Sequence, residues 1–248
     1  MSITPIEFVN GLFTLILVVI FISVSLIIIS KYFKTKETMF LYVGITWGVM
    51  VEAWIPNAIS FIIVVIIGGS EGLPIIVFLI IGTAFYPVGL LCWTKAFTDF
   101  FYKESQKFVI GMIAIIAILF EVFFFIFLAI DHTIIGTKSG LLDTDYGLFV
   151  TIFQIFLIFY ILLTGNKFAL ETIKSGDPER QLKGKLLRGA LIIFVIGALL
   201  DALGAFLNFL DTIYVILLLG ARVALTISAI GFYGAFILPD WMKKWLLK

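Results

Sequence analysis

Seven stretches of this chain each hold about 20 or more mostly apolar residues, the length an α-helix needs to cross roughly 30 Å of hydrocarbon. They run from Phe8 to Ser30, Met39 to Ile67, Ile75 to Phe97, Phe108 to Ile130, Leu148 to Ala169, Leu187 to Leu210 and Ile213 to Leu238. A segment in lipid must satisfy its backbone internally, as a helix or as part of a closed barrel. No run alternates as a barrel strand must. The pattern predicts an all-α, polytopic membrane protein. A seven-transmembrane-helix bundle would occupy 1–238, and a cytoplasmic interfacial tail 239–248. Composition agrees: 62% of residues are hydrophobic and 13% charged, where soluble domains carry about 25% charged residues.

Pro56 and Pro87 fall inside the second and third runs. Neighbouring helices can satisfy the carbonyls that a proline frees, so both predict kinks rather than ends. The segment DHTIIGTKSGLLDTDYG reads as a long loop between the fourth and fifth runs, and SGDPER as a turn. The first run lacks the basic start of a cleaved signal, since the first charge in MSITPIEF is Glu7, and it reads as a permanent helix.

Basic residues stay on the cytoplasmic side of short loops. On the seven-run reading, fifteen of the seventeen Lys and Arg residues fall on one side and Lys138 alone on the other, with Arg222 inside a run. This predicts an outside N-terminus, a cytoplasmic C-terminus and a multi-pass protein of the cell membrane with the lipid bilayer as its first partner. The tail LPDWMKKWLLK, with Trp241 and Trp245 four apart, fits either a short interfacial helix or the frayed end of the seventh helix.

Four ionisable residues lie well inside the runs: Glu52, Glu121, Asp201 and Arg222. Such groups are costly in an apolar medium and usually face protein or a partner. Asp201 stands nine residues before Leu210, and Arg222 nine residues after Ile213. At 1.5 Å per residue both lie roughly 13–14 Å from the short connection. Equal depth on adjacent antiparallel helices predicts an Asp201–Arg222 ion pair. Gly197, Gly204, Ala205 and Asn208 share the Asp201 face, and small residues let helices approach closely. Gly44, Gly48 and Glu52 are spaced by four, which turns Glu52 toward protein, with Asn57 a turn and a half beyond. Glu121 shares a face with Ala114 and Ala117. Lys95 and Asp99, at i and i+4, predict a local ion pair. Ligand-lining candidates are Glu52, Tyr86, Asp201 and Arg222; structural or relay candidates are Glu121, Asn57, Asn208, Lys95 and Asp99. The bland alternative is that the buried pair only fixes helix register.

One cysteine, Cys92, rules out an internal disulfide, and one histidine, His132, argues against a His-based metal site. No Walker loop, GxSxG or HExxH is present, so neither an enzyme nor a cofactor is expected. The basic loops are matched by acids such as Glu171, Asp177 and Glu179, so nucleic acid is not an expected partner.

Seven crossings with an outside N-terminus resemble microbial rhodopsins and G-protein-coupled receptors. The last run, LLLGARVALTISAIGF, offers no lysine for a retinal Schiff base, so retinal is not expected. The segments DPERQLKGKLLRGALIIFVIGALLDAL and GFYGAFILPDWMKK resemble the seven-helix membrane sensor segments of prokaryotic histidine kinases, here without a kinase domain. That resemblance implies a sensor or receptor-like protein that binds a small or lipidic ligand in the bundle and signals through a partner chain. The alternative is a secondary transporter or an ion- or proton-translocating protein that uses its buried acids. A third reading is a structural or accessory subunit.

Overall fold

The computed structural model describes residues 3–206 and 211–247, the side chains of 203–206, 211, 212 and 214 excepted. Ten α-helices are described: α1 Pro5–Thr35, α2 Thr38–Met50, α3 Ile55–Phe61, α4 Ile75–Thr83, α5 Tyr86–Phe101, α6 Gln106–Ile130, α7 Leu148–Ile173, α8 Pro178–Phe206, α9 Asp211–Phe236 and α10 Asp240–Leu246. Two short strands, β1 Gly136–Lys138 and β2 Thr144–Tyr146, lie between α6 and α7.

The prolines do more than kink. The second run breaks at a 3-10 turn, Glu52–Trp54, and restarts as α3 with Pro56 in its first turn. The third run breaks after α4 and restarts as α5 with Pro87 in its first turn. Proline has no N–H to give and suits the first turn, where that donor would be orphaned anyway. The stretch expected to be an irregular loop forms an antiparallel hairpin, pairing Gly136 with Tyr146 and Lys138 with Thr144. Thr137, Thr144 and Tyr146 are good strand formers, and Ile135 and Leu142 are buried at its base. The fold is therefore not purely α.

The chain divides into two compact units. Unit 1 comprises residues 1–22 and 45–157, and unit 2 residues 23–44 and 158–248. The core of unit 1 is aromatic. Phe120 stacks on Phe153 at 3.8 Å between centroids, and Trp47 lies 5.9 Å from Trp93. Unit 2 is built on the α8–α9 pair. Gly197 packs on Leu225 and Gly231 on Ala190, while Phe194 meets Phe232 at 6.4 Å. As one helix advances the other retreats, so the two are antiparallel. The tail is a separate helix, not a fray. Leu238 turns the backbone at φ 46°, Pro239 follows, and α10 seats the buried Met242 against Gly234. Lys243 then pairs with Glu179 at 2.6 Å.

Six helical runs are long and apolar enough to cross a membrane by length and composition: Pro5–Thr35, Thr38–Ile66, Ile75–Phe101, Gln106–Ile130, Leu148–Ile173 and Val215–Phe236. The expected Leu187–Leu210 run lies partly outside the described residues and is not among them. The outside N-terminus and cytoplasmic C-terminus rested on seven crossings, where the described residues hold six candidate spans. One continuous seven-helix bundle, with the bilayer as partner and the cell membrane as address, is replaced by two compact helical units. The outer faces are nonetheless strongly apolar. On α6, Phe108, Met112, Ile115, Ile118 and Phe125 are exposed, as are Ile152, Phe159 and Leu163 on α7. Leaving such surface in water costs about 25 cal/mol per Å², and contiguous patches of this kind call for an apolar cover.

Candidate functional site

The two helix interruptions of unit 1 share one polar side chain. The Phe85 amide, at the restart of α5, would donate within a continuous helix; instead it donates to Glu52 Oε1 at 2.7 Å. Glu52 stands in the interruption of the second run and is 2% exposed. One carboxylate thus serves the break of another helix. Its second oxygen, Oε2, is buried with no hydrogen-bond partner. Glu121 of α6, a second acid, is within electrostatic reach of Glu52.

The hairpin closes over the same region. Tyr146, at the end of β2, places its hydroxyl 3.4 Å from the carbonyl oxygens of Ala53 and Gly82, one at each interruption. A Cβ at Gly82 would meet that hydroxyl, so any side chain there displaces the end of Tyr146. Burial, then the nearby Glu52 and Asp143, push the Tyr146 hydroxyl pKa well above the usual tyrosine range. Next along, Gln154 of α7 donates to the Tyr86 hydroxyl at 2.8 Å.

Asp143 anchors the hairpin. Its Oδ1 accepts from Asn57 Nδ2 at 2.8 Å and from the Thr144 amide at 2.9 Å, and Oδ2 faces Asn10 Nδ2 at 3.5 Å. Glu7 adds a second tie by accepting the Leu141 amide at 3.3 Å. The first turn of α1 and the start of α3 therefore hold the hairpin at two points.

Unit 2 contains the expected ion pair. Arg222 Nη1 donates to Asp201 Oδ1 at 2.7 Å, with the arginine side chain 3% exposed and the aspartate 25%. The equal-depth argument from the sequence places it correctly. Lys95 and Asp99 also meet, at 2.6 Å, and Gln106 joins them. Lys31 donates to the Phe236 carbonyl at 3.0 Å and lies 4.3 Å over the Phe40 ring, satisfying an orphan acceptor at the end of α9.

Glu52 and Tyr86 belong to unit 1, Asp201 and Arg222 to unit 2. Asn57 clamps the hairpin, and Glu121 lies within electrostatic reach of Glu52. Asn208 lies outside the described residues. Sequence reading missed Asp143, Tyr146, Gln154 and Asn10. The signal within reach was DTDYG, a strand-forming triplet with an acid, read there as loop. Among the described residues no three His, Cys, Asp or Glu side chains gather as a metal site would need.

No known family, no curated protein and no solved structure matches this chain. The resemblance to histidine-kinase sensor segments therefore finds no relative to support it and is withdrawn. The receptor reading required Glu52, Tyr86, Asp201 and Arg222 to line one cavity, and the signalling partner followed from it. The transport reading required the acids to form one relay. No relative supports either reading, and Asp201 is already committed to Arg222, so neither is retained.

Proposed function

We propose that the chain is a non-catalytic helical scaffold, an accessory subunit that presents broad apolar helix faces in an apolar surrounding. The observation that carries this reading is how the interior polar groups are used. Glu52 serves the Phe85 amide, Asp143 the Asn57 amide, Gln154 the Tyr86 hydroxyl and Arg222 the Asp201 carboxylate. Each contact joins segments distant in sequence and fixes one helix break, hairpin or register. Buried polar pairs that specify geometry at some expense in stability are an attested use of such groups. The outer face of α6, with Ile115, Ile118, Leu119 and Val122 exposed, is then the presenting surface.

The test is the mass of the native particle. The chain, extracted with a mild detergent at native expression, is sized by light scattering with the bound detergent subtracted. A scaffold subunit gives a stoichiometric particle well above the 27.8 kDa of one chain, and charged substitution at Ile118 and Val122 reduces it. A monodisperse single-chain particle, unchanged by those substitutions, overturns the reading.

A further inference from the structure

Glu52 Oε2 is the least explained atom in unit 1. Buried carboxylate oxygens are ordinarily hydrogen-bonded, and leaving one unmet costs about 1–3 kcal/mol. The residue is 2% exposed, and its other oxygen is already committed to the Phe85 amide. A second acid, Glu121, is within electrostatic reach of it. Glu121 Oε2 is likewise buried with no hydrogen-bond partner. The Tyr146 hydroxyl, 3.4 Å from the carbonyl oxygens of Ala53 and Gly82 and beside the fully buried Thr83, lies within electrostatic reach of Glu52.

We propose that the centre formed by the two helix interruptions of unit 1 binds one monovalent cation of sodium size, with Glu52 Oε2 as its anionic ligand. Carbonyl and hydroxyl oxygens at the Ala53 and Gly82 breaks complete the shell. A proton on Oε2 is the competing occupant, and the infrared arm of the test separates the two. Hard cations of this radius hold oxygens at about 2.3–2.6 Å, so they bridge oxygens too far apart to hydrogen-bond each other. Divalent ions want more carboxylate than is gathered here. Interrupted helices are suited to the task because unwound backbone turns carbonyls toward an ion. The ion is held rather than moved: Glu52 and the Tyr146 hydroxyl close around it, and the hairpin clamp at Asp143 keeps Tyr146 in place. The proposal stands apart from the scaffold reading, since particle mass and ion binding are measured separately.

The experiment is thermal unfolding of the full-length protein in choline chloride, titrated with sodium, potassium or lithium chloride at constant ionic strength. A ligand that binds only the folded state raises Tm in a saturable way. Sodium is expected to raise Tm saturably in the wild type, with potassium at least tenfold weaker in half-saturation. E52Q is expected to lose the sodium response. E52D, which keeps the charge on a shorter arm, retains it with half-saturation weakened at least tenfold, and it serves if E52Q does not fold. No sodium-specific shift in the wild type overturns the proposal, as does an equal shift in E52Q or in E52D. Infrared difference spectra give an independent reading. A carboxylate band that moves on sodium addition and is absent in E52Q supports the site. A protonated-carboxyl band that vanishes in E52Q and is indifferent to sodium overturns it.

Discussion

Glu52 Oε1 accepts the backbone amide hydrogen of Phe85 at 2.7 Å across thirty-three residues of chain. Two breaks that proline permits are thereby made into one structure. Replacing Glu52 with Ala removes the acceptor and orphans a buried amide, at about 1–3 kcal/mol. Replacement with Gln keeps an oxygen for Phe85 and costs less. Equilibrium unfolding of the two variants checks the order. Equal stability of E52A and wild type would mean that α5 restarts without help from Glu52.

The Asp201–Arg222 pair allows a sharper test. Arg222 is almost wholly buried, and Asp201 is a quarter exposed. Removing one partner of a buried pair costs about 3–5 kcal/mol, whereas apolar replacement of both is often neutral. Partial exposure of Asp201 favours the low end of that range. D201A removes an acceptor from an almost wholly buried guanidinium and should destabilise more than R222M, whose aspartate can still reach solvent. The D201A/R222M double variant should recover most of the loss. A double variant as unstable as the sum of the two singles would show that the contact carries no coupling.

The pair was legible in the sequence because depth along a helix is arithmetic: nine residues either side of a short connection gives equal height. The Lys95–Asp99 contact was legible for a similar local reason, the i, i+4 spacing. The hairpin clamp was not. Asn57 and Asp143 are 86 residues apart, and nothing in IPNAISF or GLLDTDYG marks them as partners. The prolines were visible, but whether a helix bends or restarts depends on what receives the freed amide. That answer lay in Glu52, on another helix. The division into two units was equally hidden, because apolar runs have the same composition whichever unit buries them.

The clamp makes its own prediction. Asp143 draws the Asn57 amide and the Thr144 backbone into one carboxylate. D143A should release the hairpin while leaving the helices in place. Limited proteolysis within 139–143 should accelerate at least tenfold, with helical circular dichroism unchanged. D143N keeps one acceptor and should fall between. Wild-type cleavage rates in D143A would assign the hairpin's order to Leu142 and Ile135 packing instead.

Tyr146 gives a pH dependence whose sign is fixed by its surroundings. Burial, with Glu52 and Asp143 nearby, raises its pKa in the folded state, while the unfolded chain titrates near about 10. A raised pKa means that the folded protein keeps a proton the unfolded chain gives up. The stabilisation is therefore complete below about pH 10 and is lost as pH climbs beyond it. Stability measured by denaturant should fall more steeply with alkaline pH in the wild type than in Y146F, which has no proton to lose there. Absorbance titration of the folded protein should show the same number of tyrosines ionising in both, because Tyr146 stays silent until unfolding. One tyrosine fewer titrating in folded Y146F would place that hydroxyl in water, away from Ala53 and Gly82.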